Sequence, residues 1–202
     1  QGQICMSTER LIVDDKVADS FVDKLAAKAK SLPAGDPRGG NVVLGSLVSV
    51  EAAEGVEALI KDAVSKGAKL VAGGSREGSI MDAAVLDHVT KDMRIYHEES
   101  FGPVVSVIRG NGDDDLVRLA NDTEYGLSSA VFATDINRAL AVARRIEAGI
   151  CHINGPTVQD EAQMPFGGVK GSGYGRFGGR YGVAEFTDVK WLTIEDHPHY
   201  PF

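Results

Sequence analysis

Cys5 and Cys151 are the two cysteines of this 202-residue chain, and their side chains suggest chemistry most directly. A cysteine thiolate attacks a carbonyl carbon readily when its pKa is lowered and its sulfur is accessible. A free cysteine can equally be a small buried apolar residue, and the spacing around Cys5 does not decide between these two roles. Cysteines so far apart do not indicate a disulfide scaffold.

Cys151 is followed directly by His152, within a segment that has the pattern of a strand. Neighbouring side chains of a strand point to opposite faces of the sheet. The two residues therefore cannot act together as nucleophile and base, nor can they share a metal ion. We expect both to be structural.

Acidic and glycine-rich clusters are further candidates for chemistry. The pair Glu98-Glu99 precedes Gly102-Pro103 and could simply be a solvated turn. Asp113-Asp114-Asp115 favours the positive end of a helix dipole, since a hard cation would need oxygen ligands at alternate positions of a structured loop. Gly73-Gly74 has neither the motif nor the following helix of a phosphate loop, so we expect a turn. The sequence therefore predicts no metal site.

Composition limits the class of protein. The chain has 29 acidic against 21 basic residues, for a net charge of −8, and no basic cluster, which argues against nucleic acid and anionic membrane surfaces as partners. No apolar stretch has the length of a membrane span. Hydrophobic residues make up 43%, enough for a core. Two distant cysteines suit a reducing compartment, and we expect a cytoplasmic protein.

Hydrophobic periodicity predicts alternating strands and helices. The first helix is opened by Asp14-Asp15, and its predicted apolar stripe contains Val17, Phe21 and Leu25. Further helices are predicted from Ser49 to Lys66, from Asp113, from Asp135 to Gly149, and around Val183 to Phe186; strands are predicted at 8–13, 68–72, 83–89, 104–108, 127–134, 150–154 and 189–194. This alternation predicts an α/β fold with a largely parallel sheet flanked by helices.

Three motifs resemble one enzyme family in the same order. Gln1-Gly2-Gln3-Ile4-Cys5 resembles the nucleophile segment of the aldehyde dehydrogenase superfamily, in which a G-Q-x-C run presents the catalytic cysteine. The stretches Glu98–Pro103 and Pro165–Gly173 resemble two later motifs of that family. The resemblance covers essentially the whole chain but only the carboxy-terminal part of such an enzyme.

The resemblance implies a role for several residues. Cys5 would be the nucleophile, passing through a thiohemiacetal and a thioester as an aldehyde is oxidised to a carboxylic acid with NAD or NADP. Glu99 would accept hydrogen bonds from the nicotinamide ribose, with Glu98 as the alternative if the register slips by one, and Phe101 would pack near the nicotinamide ring. Phe166 and Ile4 would contact the substrate.

The resemblance also implies the substrate class and the domain division. The run from Thr157 to Met164 most resembles members that oxidise aromatic aldehydes, such as salicylaldehyde or vanillin. Residues 1–180 would form the catalytic domain, and residues 181–202 a short helix, an oligomerisation strand and a tail. An unpaired strand carrying Trp191 and Leu192 favours a homodimer or homotetramer.

The resemblance further implies that some parts lie upstream of Cys5. In the family these are the cofactor domain, the glutamate general base and an asparagine of the oxyanion hole. We therefore expect this chain to be part of a longer polypeptide and to lack dehydrogenase activity alone. Two other interpretations stay open: a non-catalytic oligomerisation or binding module with an inert Cys5, and a chain capable only of slow ester cleavage. The choice between NAD and NADP also depends on upstream residues.

Overall fold

Strands and helices alternate along residues 1–197, the part of the chain that the computed structural model describes. The strands are β1 (Arg10–Asp14), β2 (Lys69–Ala72), β3 (Arg76–Glu77), β4 (Ile80–Met81), β5 (Ala84–Asp87), β6 (Val104–Gly110), β7 (Ser128–Val131) and β8 (Ile150–Ile153). The helices are α1 (Asp15–Lys30), α2 (Val50–Ser65), α3 (Gly112–Asn121), α4 (Ile136–Ala143) and α5 (Gly179–Glu185), with 3-10 turns at Pro37–Gly39, Arg94–Tyr96 and Lys170–Ser172.

A four-stranded sheet with the order β1-β6-β5-β2 forms the centre of the fold. β6 runs parallel to both β1 and β5, with Leu11 opposite Val107 and Val85 opposite Val105, whereas β2 is antiparallel to β5. β7 and β8 form a separate parallel pair, and β3 and β4 a short hairpin. The predicted α/β fold with a largely parallel sheet is confirmed.

The core lies on both faces of this sheet. Residues of β5 alternate between the two faces, so that Leu86 packs with Val56 of α2, while Val85 packs with Val22 of α1. This two-residue alternation is the geometry of a pleated strand covered on both sides. The sheet is therefore buried between helices, as in other α/β domains.

The buried face of α1 differs from the predicted stripe. Ala18, Val22 and Ala26 face the sheet, whereas Val17 is 53% exposed and Phe21 37% exposed. The stripe is displaced by one residue because small alanine side chains allow the helix to lie close to the sheet, and a search for large apolar residues gives alanine little weight. The start of the helix was predicted correctly, since Asp14 caps it by accepting a hydrogen bond from the Lys16 N–H at 3.0 Å.

The end of α4 also differs from the prediction. The helix stops at Ala143, and Gly149 is not its cap. A Cβ at Gly149 would lie 1.8 Å from the Gly167 carbonyl oxygen, and the Gly149 N–H donates to the Gly126 carbonyl at 2.9 Å. Glycine is needed here for close approach of the two backbones and not for helix termination.

The predicted strand at 189–194 is not formed within the chain. Residues 187–195 have no secondary structure, and Trp191 is 89% exposed. A strand needs a hydrogen-bonding neighbour, and within residues 1–197 none lies beside this segment. The preceding helix α5 starts earlier than predicted, at Gly179, so that it crosses the proposed boundary at residue 180. The tail beyond His197 lies outside the described residues.

The three aspartates at the start of α3 pair with arginines. Each carboxylate contacts a different guanidinium, in the pairs Asp113–Arg138, Asp114–Arg145 and Asp115–Arg118. The three carboxylates place negative charge at the N-terminus of α3, where the helix dipole favours it. Asp113 and Asp114 also link α3 to α4 and to the turn that follows α4.

Residues 1–197 contain no helix with the length and apolar character needed to cross a bilayer.

A buried ion pair joins β5 to β6. Asp87 is 3% exposed and accepts hydrogen bonds from Arg109 Nε at 3.1 Å and from a second Arg109 nitrogen at 2.7 Å. Burial opposes ionisation of Asp87, but the hydrogen bonds from Arg109 and from the His88 N–H outweigh it and lower the pKa of the carboxyl.

We expect Arg109→Leu to lower the free energy of unfolding by about 3 kcal/mol, because it leaves a buried carboxylate without its partner. The control Arg118→Leu removes the exposed partner of Asp115 in a solvent-accessible pair and should cost much less. Urea unfolding at pH 7 measures both. Since the pKa of Asp87 is lower in the folded state, the difference between wild type and Arg109→Leu should shrink as the pH falls through that pKa. Equal losses in the two variants would contradict this assignment.

Candidate active site

Cys5 lies on an exposed β-turn just before β1. The Ser7 N–H donates to the Ile4 carbonyl at 2.8 Å and closes the turn, so that Cys5 and Met6 occupy its two central positions. Cys5 is exposed, and Ile4 beside it is 50% exposed. Cys5 is therefore not a buried core residue, and its sulfur is accessible to a reactant.

Gln3 fixes the turn to the segment before α2. Its side-chain Oε1 accepts a hydrogen bond from the Val48 N–H at 2.8 Å, and its Nε2 lies 3.5 Å from the Ser46 carbonyl oxygen. Gln3, the glutamine of the G-Q-x-C motif, thus positions the segment that carries the thiol. This role does not require Gln3 to contact a reactant.

Two glycines bring the Cys5 segment against the loop that precedes β6. Gly2 has a positive φ of +78°, and a Cβ there would lie 2.0 Å from the Gly102 carbonyl oxygen. On the other side of that loop, a Cβ at Gly102 would lie 2.4 Å from Val56 of α2. The two backbones are in direct contact, and side chains at either position would separate them.

The Glu9 carboxylate makes a second link between these segments. It accepts hydrogen bonds from the Ser100 N–H at 2.9 and 3.1 Å, from Ser100 Oγ at 3.1 Å and from the Phe101 N–H at 3.1 Å. Sequence reasoning missed Glu9, because its partners lie 91 and 92 positions away and no local pattern marks it.

Glu99 and Phe101 lie on this loop with their side chains exposed. Phe101 has the left-handed φ of +44° that few residues other than glycine adopt. Desolvation by nearby protein atoms, and then the negative charges of Glu9 and Glu124, raise the pKa of the Glu99 carboxyl. Within residues 1–197 the Glu99 carboxylate has no hydrogen-bond partner, so it can accept donors from a bound molecule.

Glu98 is in a different situation. Both of its carboxylate oxygens accept hydrogen bonds from Arg94, from Nε and from a terminal nitrogen, each at 2.8 Å. This bidentate contact lowers the pKa of Glu98. Of the two carboxylates considered for the ribose, the geometry therefore favours Glu99.

Thr157 joins the Cys5 turn to the long glycine-rich loop of residues 154–179. Its hydroxyl donates to the Met6 carbonyl at 2.7 Å and lies 2.8 Å from the Thr8 hydroxyl. Its carbonyl accepts from Ser128 Oγ of β7 at 2.7 Å. This contact was also missed from the sequence, where Thr157 was only one member of a run.

Phe166 lies on the same loop and is half-buried. A two-way backbone bridge holds it, with its N–H 2.9 Å from the Phe177 carbonyl and the Phe177 N–H 2.7 Å from its own carbonyl. The bridge fixes the backbone of the distal part of the loop at Phe166 and Phe177. The predicted proximity of Phe166 to Cys5 stays a prediction.

The arrangement combines an accessible thiol with two loops, one held by Gly2 and Glu9 on either side of the Cys5 turn and the other by Met6 within it. One loop offers a carboxylate available to donors and an exposed aromatic ring; the other begins at the strand end where Thr157 is bonded to Met6. Such a site can carry out nucleophilic attack by sulfur on a substrate held beside a second ligand.

The chain belongs to the aldehyde dehydrogenase family, whose model matches residues 1–192.

Relatives and solved structures cover the whole chain. It is 62% identical over 202 residues to a vanillin dehydrogenase of Pseudomonas fluorescens and 58% identical over 204 residues to a salicylaldehyde dehydrogenase of Pseudomonas putida. A crystal structure of salicylaldehyde dehydrogenase from Pseudomonas putida G7, complexed with salicylaldehyde, superposes with a TM-score of 0.95 at 56% identity and is likewise matched over 100% of this chain. The chain spans 42% of the length of each of these three proteins.

We expect Gly2→Ala to destabilise the protein by about 2 kcal/mol or more, because the left-handed conformation and the overlap with the Gly102 carbonyl both oppose a Cβ. Gly39→Ala is the control, since its Cβ would meet nothing within 4 Å, and it should change stability by less than about 1 kcal/mol. Thermal unfolding measured side by side tests this contrast. Similar melting temperatures for both variants would mean that the two segments are not in contact.

Proposed function

We propose that this chain is the nucleophile-bearing part of an NAD(P)-dependent dehydrogenase that oxidises an aromatic aldehyde to a carboxylic acid. The observation that carries the proposal is the exposed Cys5 turn, which is bonded to the Glu99–Phe101 loop through Glu9 and to the glycine-rich loop through Thr157. Membership of the aldehyde dehydrogenase family supports the reaction class.

The chemistry follows from the position of the thiol. The Cys5 thiolate adds to the aldehyde carbon and forms a thiohemiacetal, whose oxyanion is stabilised by donors including the Cys5 backbone N–H. Loss of a hydride from that carbon leaves a thioester on Cys5. Attack by water then releases the carboxylic acid and restores the thiolate. The base that activates this water is the glutamate that the family places upstream.

The residues on the loop before β6 fit a nicotinamide dinucleotide, which supplies the hydride acceptor when it is bound. The Glu99 carboxylate has no hydrogen-bond partner within residues 1–197, and its two oxygens can accept both ribose hydroxyl donors. The exposed ring of Phe101 offers a flat apolar wall beside them. NAD and NADP carry the same nicotinamide ribose, so these residues do not distinguish the two.

An aromatic substrate is supported by two observations. Relatives that are 58% to 62% identical over the full length of this chain are named for vanillin and salicylaldehyde. Phe166 places a half-buried aromatic side chain on the loop that Thr157 ties to the Cys5 turn. An aromatic wall holds a ring by stacking and by excluding water.

In the complete enzyme, we expect Cys5→Ala to reduce aldehyde oxidation by at least about a thousandfold, because the covalent step is lost. The control Cys151→Ala should keep most of the activity. Absorbance of the reduced cofactor reports the rate with vanillin or salicylaldehyde. A Cys5→Ala enzyme with near-wild-type turnover would instead support a module with an inert Cys5.

A polypeptide of residues 1–202 alone should show no cofactor-dependent aldehyde oxidation, since the family places its general base and its cofactor domain upstream. An activated ester could still acylate Cys5, because acyl transfer to a thiol needs no cofactor. A burst of product from such an ester, absent in Cys5→Ala, would identify the thiol as reactive. Steady aldehyde oxidation by the same polypeptide would contradict the proposal that the general base and the cofactor domain lie upstream.

We also propose that residues 187–194 add to a partner subunit in a homodimer or homotetramer. Val189, Trp191, Leu192 and Ile194 are between 74% and 99% exposed in the single chain. In the complete enzyme, replacing Trp191 and Leu192 by Asp should lower the mass found by sedimentation. An unchanged mass in the variant, or a wild-type protein that is monomeric at high concentration, would contradict this. Cytoplasmic location and the division at residue 180 stay predictions.

A further inference from the structure

We propose that Glu9 is a positioning residue that holds the Glu99–Phe101 loop in its cofactor-binding conformation and locks this loop to the Cys5 turn. The inference deepens the proposed function and rests on it, since Glu9 would act through Glu99 and not on the substrate. Neither the sequence motifs nor the resemblance assigned a role to Glu9.

The first argument is the geometry of the carboxylate. Two successive backbone N–H groups, of Ser100 and Phe101, and the Ser100 hydroxyl all donate to Glu9 at 2.9 to 3.1 Å. The Ser100 Oγ in turn lies 3.3 Å from the Gly102 N–H. An ionised carboxylate is an acceptor only, so it suits a site lined by donors. No lysine or arginine forms a salt bridge with Glu9 within residues 1–197, and the loop donors are therefore what compensates its charge.

The second argument is the backbone conformation that Glu9 holds. Phe101 has a φ of +44°, which an L residue keeps only where its surroundings impose it. The hydrogen bond from the Phe101 N–H to Glu9 is such a constraint. It sets where the ring of Phe101 and the neighbouring carboxylate of Glu99 lie.

The third argument is the rigidity of the segment that carries Glu9. Its own carbonyl accepts from the Ser106 N–H of β6 at 2.9 Å, and the next residue, Arg10, donates to the Leu119 carbonyl at 3.0 Å. Glu9 is four positions after Cys5 on the same short segment. A loop bound to Glu9 is therefore held at a fixed distance from the nucleophile.

The negative charge of Glu9 affects the pKa of Glu99, which a side chain with a purely structural role would not do. The titratable groups that interact with Glu99 are Glu9, Glu124 and Tyr125, and the negative charges of Glu9 and Glu124 add to desolvation in raising the pKa of Glu99. Removing either charge should lower that pKa. Glu99 would then stay ionised, and able to accept the ribose hydroxyls, at more acidic pH.

The test uses the complete enzyme with Glu9→Gln, Glu9→Asp and the matched control Glu124→Gln. Glu9→Gln keeps the size of the side chain and one acceptor oxygen, but it places an NH2 donor where Glu9 Oε2 accepts from the Ser100 N–H, and Glu9→Asp is one methylene shorter. Glu124→Gln removes a charge near Glu99 without touching the hydrogen bonds to Ser100 and Phe101. Binding of NAD, or of NADP if the wild type binds only NADP, is measured by titration from pH 5 to 8, and cofactor-independent ester cleavage reports the reactivity of Cys5.

At pH 7.5 we expect Glu9→Gln and Glu9→Asp to weaken NAD binding about tenfold, with ester cleavage changed less than about twofold. Glu124→Gln should bind NAD like wild type at that pH. The acid limit of NAD binding should move to lower pH in both glutamine variants and stay in place in Glu9→Asp, which keeps its charge.

Unchanged NAD binding and an unchanged acid limit in Glu9→Gln would overturn the proposal. So would equal losses of NAD binding and ester cleavage together with a lower melting temperature, because that pattern describes a purely structural residue. A wild-type enzyme that binds neither NAD nor NADP, or whose aldehyde oxidation survives Cys5→Ala, would instead contradict the proposed function itself.

Discussion

The contact between the Cys5 segment and the loop before β6 is the interaction on which the candidate site depends. It has two components of different chemistry: a backbone-to-backbone approach that only glycine at position 2 allows, and a carboxylate at position 9 that binds successive loop N–H groups. The glycine contact sets the distance between the two segments, because it leaves no room for a side chain. The Glu9 carboxylate sets their orientation, because it binds the N–H groups of the loop. The Cys5 thiol and the Glu99 carboxylate belong to one unit although 94 positions separate them along the chain.

The sheet explains why these two segments meet. β1 and β6 are parallel neighbours, with Arg10 opposite Ser106, so the residues that enter them arrive at the same edge. The Cys5 turn precedes β1, and the Glu99–Phe101 loop precedes β6. Parallel pairing therefore brings the Cys5 turn and the Glu99–Phe101 loop together without any direct sequence signal. The glycine-rich loop is attached differently: it follows the carboxyl end of β8, and Ser128 Oγ at the start of β7 donates to the Thr157 carbonyl.

Competition between neighbouring carboxylates illustrates how the fold assigns roles. Glu98 and Glu99 are adjacent and chemically identical, yet Arg94 binds one of them through both oxygens and leaves the other available. The available carboxylate is surrounded by further acidic groups, which raise its pKa, whereas the paired one has its pKa lowered. The ion pair between Arg94 and Glu98 therefore gives a physical reason why Glu99, and not Glu98, is the carboxylate available to a ligand.

The sequence by itself determined the features that depend on nearby residues. Ser49 and Asp135 were predicted as helix starts, and both cap their helices with side-chain hydrogen bonds to residues two or three positions away. The alternation of strands and helices and the three motifs likewise sufficed for the fold class and the family. Tertiary structure decided the features that depend on contacts between distant segments. These are which face of α1 is buried, why residue 149 is glycine, and that 187–195 pairs with no strand within residues 1–197. It also revealed Glu9 and Thr157, whose partners lie 91 and 151 positions away, because a side chain's role in such a contact is set by strand pairing and loop packing and not by its neighbours in sequence.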